Sequence, residues 1–269
     1  MGITGYFIGR AKENKIASAV LILYLAACIS SFIYFIVTGG GVNSITVSLS
    51  YILFLFIPYV AEYLMKFRCP ELYVVIVFLS AFFAFLGEAY NLYILFPPLD
   101  VILHFTDGFI FACFGFTAAT FFLDPKESRK NLVGCLIAGL LTGIFVSAVW
   151  EFYEYIRSAL TGMDHEEDVF INAIRSFTLS GTHDSPLVLD DITKTVIYYN
   201  GGADTYEIAG YLDIGLSDTV TDMMAGALGS AAAFAVGFIR KDGRNVFIEK
   251  LFPRLCRYEG AGKGGDAGC

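Results

Sequence analysis

The sequence has few charged residues and no concentration of positive charge. Asp, Glu, Lys and Arg make up 16% of its 269 residues, whereas 56% are hydrophobic, and the mean hydropathy is +0.64. The formal net charge is −8, and no basic stripe marks a surface for nucleic acid, so we expect no nucleic-acid partner. Several apolar runs exceed about 18 residues, the length that crosses a hydrocarbon core. This composition excludes a soluble domain and predicts a polytopic, all-α membrane protein.

Cysteine pairs with a recognisable function are also missing. No two of the six cysteines have the spacing of a zinc site. Cys28, Cys113 and Cys135 fall inside apolar runs, and we interpret them as ordinary small apolar residues. We therefore expect neither a cysteine zinc site nor a disulfide.

Six apolar segments predict six transmembrane helices. The sequence then divides into an N-terminus (1–15), five helices (16–157), a long loop (158–215), a sixth helix (216–239) and a tail (240–269). The tail is expected to hold a short interfacial helix and a disordered, Gly-rich end at Gly260–Cys269. Pro58 predicts a kink in the second helix. The predicted spans are Ile16–Val37, Ile45–Met65, Leu72–Leu95, Leu99–Leu123, Leu132–Arg157 and Leu216–Ile239.

Basic residues occur in every second loop and predict the orientation. The intervening loops Thr38–Ser44 and Phe96–Pro98 contain no Lys or Arg. Cytoplasmic loops are enriched in basic residues, so both termini are predicted to be cytoplasmic in a cell (inner) membrane, with lipid as the surrounding partner. The basic residues that carry this prediction are Arg10, Lys12, Lys15, Lys66, Arg68, Lys126, Arg129, Lys130, Arg240, Lys241 and Arg244.

The long loop, Ser158 to Gly215, is then extracytoplasmic and strongly acidic. Between positions 161 and 213 there are ten Asp and Glu residues but only two basic residues. Asn200-Gly201-Gly202 separates two runs rich in β-branched and aromatic residues, Ile192–Tyr199 and Thr205–Leu212, which predicts a β-hairpin. The section around Asp184-Ser185-Pro186 is expected to be irregular.

Carboxylates and one histidine gather at the predicted outer ends of four helices. Carboxylates this close cannot all stay ionised in a low-dielectric site unless protons are shared or a cation lies among them. Oxygen ligands with one imidazole suit Mg²⁺, Mn²⁺, Ca²⁺ or Zn²⁺, so we predict a divalent metal ion. The residues are Glu88 in the third helix, Asp100, His104 and Asp107 in the fourth, Glu151 and Glu154 in the fifth, and Asp218 and Asp222 in the sixth.

Small residues in the sixth helix predict how its acids are oriented. Asp218 and Asp222 are four residues apart and therefore lie on one face, and Gly226 and Gly229 continue near that face. Because small residues let a neighbouring helix approach, the acids are predicted to point into a packed bundle.

Some of these residues also have simpler interpretations. Asp100 follows two prolines and could cap the fourth helix, and Asp218 could be a first-turn acid favoured by the helix dipole. Glu154 could form a surface ion pair with Arg157. These alternatives stay open at the level of sequence.

Three ordered motifs resemble those of the YjdF-like family of bacterial inner-membrane proteins and, more distantly, the VanZ-like family. The resemblance covers the third to the sixth helix, and the long loop departs from the usual pattern. It implies a multi-pass membrane protein and supports the site residues above, and VanZ-like proteins are associated with glycopeptide resistance at the cell envelope. The motifs are Leu99-Asp100-x-x-x-His104-Phe105-x-x-Gly108-Phe109, Trp150-Glu151-x-x-Glu154-Tyr155, and Asp218-Thr219-x-x-Asp222-Met223 with Gly229.

Three functions follow as hypotheses. The leading one is metal-assisted hydrolysis or transfer on an envelope or lipid-linked substrate, with Glu88 or Glu154 as general base. The second is a transporter coupled to protons or cations, for which Glu62 is the one acid in the inner half of the helices. The third is a non-catalytic envelope-protection protein whose loop binds a partner. The predicted metal ligands are His104, Asp107, Glu151, Asp218 and Asp222.

Overall fold

The computed structural model describes residues 3–239 and 245–256, and most of them are helical. The helices are α1 (Ile3–Glu13), α2 (Lys15–Thr38), α3 (Val42–Phe54), α4 (Ile57–Met65), α5 (Glu71–Tyr90), α6 (Leu92–Leu95), α7 (Pro98–Ala119), α8 (Arg129–Thr161), α9 (Phe177–Ser180), α10 (Leu216–Gly237) and α11 (Val246–Leu251). The strands are β1 (Phe67–Arg68), β2 (Val169–Ile171), β3 (Ile174–Ser176), β4 (Leu187–Leu189), β5 (Lys194–Tyr199), β6 (Asp204–Ala209), β7 (Tyr211–Asp213) and β8 (Arg254–Leu255).

Six helical segments in the described ranges are long and apolar enough to cross a membrane, which confirms the predicted number. They are α2, α3 with α4, α5, α7, α8 and α10. The end of a span differs from the predicted one where the local backbone conformation terminates the helix. The third span ends at Tyr90 instead of Leu95, because Asn91 adopts the left-handed conformation with φ 54° and terminates the helix.

The second span is interrupted where Pro58 predicts a kink. Helix α3 ends at Phe54, and α4 begins at Ile57 with Pro58 in its first turn. Proline has no backbone N–H and its ring collides with the preceding turn, so the helix breaks just before it.

Contacts within the chain define two units, residues 1–148 with 222–269 and residues 149–221. In the first unit, α5 packs against α2, α3 and α7. Its core is aromatic: Tyr24, Tyr59, Phe78 and Phe85 are almost fully buried. Burial of several such large rings is the main source of apolar packing in this unit.

A buried ion pair joins α1 to α4. Arg10 and Glu62 are 3% and 1% exposed, and the guanidinium donates from Nε to Glu62 Oε2 at 2.8 Å and from Nη2 to Glu62 Oε1 at 2.9 Å. Arg10 Nη2 also donates to the carbonyl of Cys69 at 2.7 Å, and Tyr6 donates to Glu62 at 3.0 Å. Burial alone would lower the pKa of Arg10, but the hydrogen bonds and charge of Glu62 outweigh it and raise that pKa.

The C-terminal segment folds back on the first unit. Helix α11 forms where the sequence predicts a short helix, and the ring of Phe252 packs on Phe116 with centroids 4.9 Å apart. Thr117 Oγ1 donates to the carbonyl of Pro253 at 2.7 Å, and β8 pairs with β1. The basic residues Arg240, Lys241 and Arg244 and the Gly-rich end Gly260–Cys269 lie outside the described residues.

The cysteines correct one expectation. Cys28, Cys113 and Cys135 are buried free thiols, as expected of small apolar residues. Cys256 is disulfide-bonded, so the prediction of no disulfide is wrong at that position. The prediction depended on where the cysteines lie along the sequence, which does not determine whether a thiol finds a partner.

The second unit contains the end of α8, the start of α10 and three two-stranded antiparallel sheets, β2–β7, β3–β4 and β5–β6. Strand β5 pairs with β6 across Asn200–Gly202, with Ile197 opposite Tyr206. The second run of the hairpin pattern is divided at Gly210, which has φ 79°, so that its last residues form β7 and pair with β2. The section Asp184-Ser185-Pro186 has neither helix nor strand.

We predict that Arg10→Met lowers the free energy of unfolding by about 3–5 kcal/mol, because it leaves Glu62 buried without its counter-charge. Unfolding of the detergent-purified chain with a denaturant measures this loss. The matched control is Glu13→Gln, which removes the half-exposed ion pairs of Glu13 with Arg10 and Arg68 and should cost less than about 1 kcal/mol. Arg10→Met with Glu62→Leu should recover most of the stability, and equal losses in the Arg10 and Glu13 variants would contradict the account.

Candidate functional site

Helices α7, α8 and α10 approach one another through residues without large side chains. A Cβ atom on Gly108 of α7 would overlap the carbonyl of Gly226 in α10, and one on Gly226 would overlap Ser147 of α8. A Cβ atom on Gly229 would likewise overlap the carbonyl of Phe105. The backbones are therefore in direct contact, as the small residues of α10 predict.

A serine hydroxyl reinforces this contact. Ser230 Oγ is fully buried and lies 2.8 Å from the carbonyl oxygen of Gly226 and 3.1 Å from that of Gly108, so it can donate to both helices. Gly143 of α8 leaves room for the same hydroxyl. Hydrogen bonds between helices add to packing where water cannot compete.

This packing brings together side chains one turn away. His104 precedes Gly108 by four residues, and Asp222 precedes Gly226 by four, so each continues the face in contact. His104 Nε2 lies 3.5 Å from Asp222 Oδ2 and 3.5 Å from Asp100 Oδ1. Asp222 is 1% exposed, whereas Asp100 and His104 are partly buried. Asp100 lies inside the first turn of α7, after the N-cap residue Pro97, so its role here is not that of the helix cap.

The spacing of these three side chains fits a metal ion. Their ligand atoms all lie within 4.8 Å of one another. Nitrogen and oxygen ligands at 2.0–2.2 Å in a tetrahedral site are about 3.4 Å apart, which is close to the two separations of 3.5 Å from His104 Nε2. A protonated imidazole between two carboxylates fits the same separations. The arrangement can therefore hold either a cation or a shared proton.

Two of the predicted residues, Asp107 of α7 and Glu88 of α5, make hydrogen bonds with other helices. Ser80 Oγ donates to Asp107 Oδ1 at 2.6 Å, at the contact of α5 with α7. Tyr51 of α3 donates to Glu88 Oε1 at 2.9 Å. Asp107 is seven residues from Asp100, or about 10 Å along the helix axis. Their roles as ligand and general base stay predictions.

The other predicted residues belong to the second unit. On α8, Glu151 is 3% exposed and Glu154 is partly buried. Glu151 lies four residues beyond Ser147 and therefore on the same face of that helix. Asp218 is partly buried in the first turn of α10.

The structure adds two residues that the sequence interpretation missed. The carboxylate of Asp213 accepts from the backbone N–H of Ser217 at 3.0 Å and so caps α10. Ser147 forms part of the glycine contact, and its signal was present in the sequence as the small residues Gly139, Gly143 and Ser147 at intervals of four.

The chain matches a family described as "Predicted membrane protein (DUF2238)" over residues 17–243, which is most of its length. No curated protein and no solved structure matches it.

We predict that Gly108→Ala destabilises the protein by about 1–3 kcal/mol, because the added methyl group would collide with the backbone of α10 and force the helices apart. The midpoint of thermal unfolding in detergent reports this change. Gly41→Ala is the control, since a Cβ atom there meets nothing within 4 Å. Equal midpoints for the two variants would show that α7 and α10 are not in backbone contact.

Proposed function

We propose, for a chain that belongs to the DUF2238 family of predicted membrane proteins, that Asp100, His104 and Asp222 bind a divalent metal ion. The ion would assist hydrolysis or group transfer on an envelope or lipid-linked substrate, such as a lipid-linked phosphate. The observation that carries the proposal is the convergence of these three ligand groups within 4.8 Å. We also propose that the chain is related to the YjdF-like proteins and, more distantly, to the VanZ-like proteins.

The orientation is also part of the proposal. Alternate loops differ in their content of Lys and Arg, which supports cytoplasmic termini in the cell membrane and an extracytoplasmic acidic loop. In that orientation the candidate site opens toward the outer face, where envelope substrates are found.

Further residues have assigned roles in this scheme. Glu151 is proposed as an additional ligand, because the sequence pattern places it among the acids at the predicted outer ends of the helices. Asp107 and Asp218 are the remaining ligand candidates, and Glu88 or Glu154 would act as general base. A bound divalent ion would polarise a phosphoryl or carbonyl oxygen and lower the pKa of a coordinated water. The protein would orient the reacting groups and accept the proton from that water.

A transporter is less well supported. Transport coupled to ions requires polar groups along a path through both halves of the bundle. Glu62 is the acid that the sequence offers in the inner half, and it is buried in a bidentate ion pair with Arg10. Its charge is thus already compensated within the fold.

We predict that the detergent-purified chain contains near-stoichiometric divalent metal and that His104→Ala and Asp222→Asn each abolish this content. Each variant removes one of three converging ligands, and metal analysis by mass spectrometry measures the result. Asp190→Asn is the control, because Asp190 is an exposed acid paired with Arg175. Folded wild-type protein without metal, or metal retained in both site variants, would contradict a shared site.

We further predict that either Glu88→Gln or Glu154→Gln lowers turnover of a lipid-linked phosphate by about 100-fold or more, the usual contribution of a general base. Metal content should remain unchanged in that variant, since neither residue is among the proposed ligands. Phosphate release by the metal-loaded protein in detergent is the measurement. Full turnover in both variants would remove these two residues from the mechanism.

A further inference from the structure

The hairpin β5–β6 exposes an apolar face. Side chains alternate along a strand, so Ile197 and Tyr199 share one face with Tyr206, which is paired with Ile197. These three side chains are 43%, 47% and 63% exposed. A two-stranded hairpin with an uncovered apolar face is only marginally stable in water. This face therefore gains stability from any surface that covers it.

The opposite face of the hairpin is more polar. Lys194 Nζ lies 3.1 Å from Glu207 Oε1, so a cross-strand ion pair covers part of it. The other exposed side chains on that face are Val196, Tyr198, Thr205 and Ala209. Asp204, paired with Tyr199, adds a carboxylate to the face of Ile197 and Tyr206. The two faces carry different side chains and can be tested separately.

Both outer edges of the hairpin can accept another strand. Within residues 149–221, the sheet consists of β5 and β6 alone. An edge strand presents N–H and C=O groups in a regular row, and an extended peptide can pair with them. Each strand has six residues, enough for an edge about 20 Å long at ~3.4 Å per residue.

The negative charge of the loop favours one kind of binding partner for the hairpin over others. The segment from 161 to 213 has ten acids and two bases, a net charge of −8 that equals that of the whole chain. Partial burial and the neighbouring carboxylates Asp164 and Asp213 raise the pKa of Asp168, as expected in a negative field. A second copy of this segment, or an anionic lipid surface, would be repelled, whereas a basic partner would be attracted.

We propose that the β5–β6 hairpin is the docking surface for an extended, basic segment of a partner protein. The segment pairs along one edge of the hairpin and places apolar side chains beside Ile197, Tyr199 and Tyr206 on the same face of the sheet. Its Lys or Arg residues face the acidic groups of the loop. This interaction does not depend on the metal site.

The test uses the full chain in nanodiscs of zwitterionic lipid and a dye-labelled ten-residue peptide of alternating Lys and Val. Fluorescence anisotropy measures binding, with protein-free nanodiscs as the blank. Combining Ile197→Thr with Tyr206→Thr should weaken binding by about tenfold or more, because the apolar contact is lost. Tyr198→Thr, on the opposite face, should leave the affinity within about twofold. Threonine keeps a high strand propensity in all variants, and circular dichroism verifies their folding.

Several results would overturn the proposal. Equal binding of a peptide with Glu in place of Lys would exclude an electrostatic contribution to the affinity. Because salt screens charges, binding of the Lys peptide should weaken as the salt concentration is raised. Unchanged binding in the Ile197 and Tyr206 double variant would exclude this face. Self-association of the chain, or binding of its loop to vesicles, that disappears in the double variant would assign the face to a second copy or to the membrane instead.

Discussion

The direct contact between the backbones of α7 and α10 is the constraint on which the candidate site depends. Gly108 and Gly226 have no side chain to hold the helices apart, and the hydroxyl of Ser230 lies within hydrogen-bonding distance of a carbonyl on each. Side chains normally keep helix axes about 8–10 Å apart, and the glycines remove that spacer here. One turn further along both helices, the same closeness brings His104 against Asp222. The polar cluster is thus a consequence of where the small residues are.

Two clusters of charged side chains in the first unit differ in how their charges can be balanced. Arg10 and Glu62 form a pair of opposite charges with further hydrogen bonds, so that cluster needs nothing from outside the protein. Asp100, His104 and Asp222 provide two carboxylates and at most one positive charge. Carboxylates in a low-dielectric site favour a cation or a shared proton between them. This is the physical reason to look for metal at the second cluster.

Sequence patterns predicted the number and packing of the spans, but they contain no information on which neighbour an individual acid contacts. Hydrophobic runs gave the number of spans, Pro58 the interruption of the second, and the small residues of α10 its close packing. The pattern also placed Asp107 and Glu88 at a depth similar to that of His104. Depth along a helix does not determine which neighbour a side chain meets, and these two acids bond to Ser80 and Tyr51. Hydropathy also does not predict local backbone conformations, such as the left-handed conformation of Asn91 that ends α5.

The central claim is that one cation binds between α7 and α10. Its most direct test is a crystal structure of the chain grown with Mn²⁺, with anomalous diffraction measured at the manganese absorption edge. We expect one anomalous peak about 2.2 Å from His104 Nε2 and from a carboxylate oxygen of Asp222, the usual length of such bonds. A map without that peak, in which the imidazole of His104 bonds directly to the carboxylates of Asp100 and Asp222, would contradict the claim and leave a shared proton as the compensating charge.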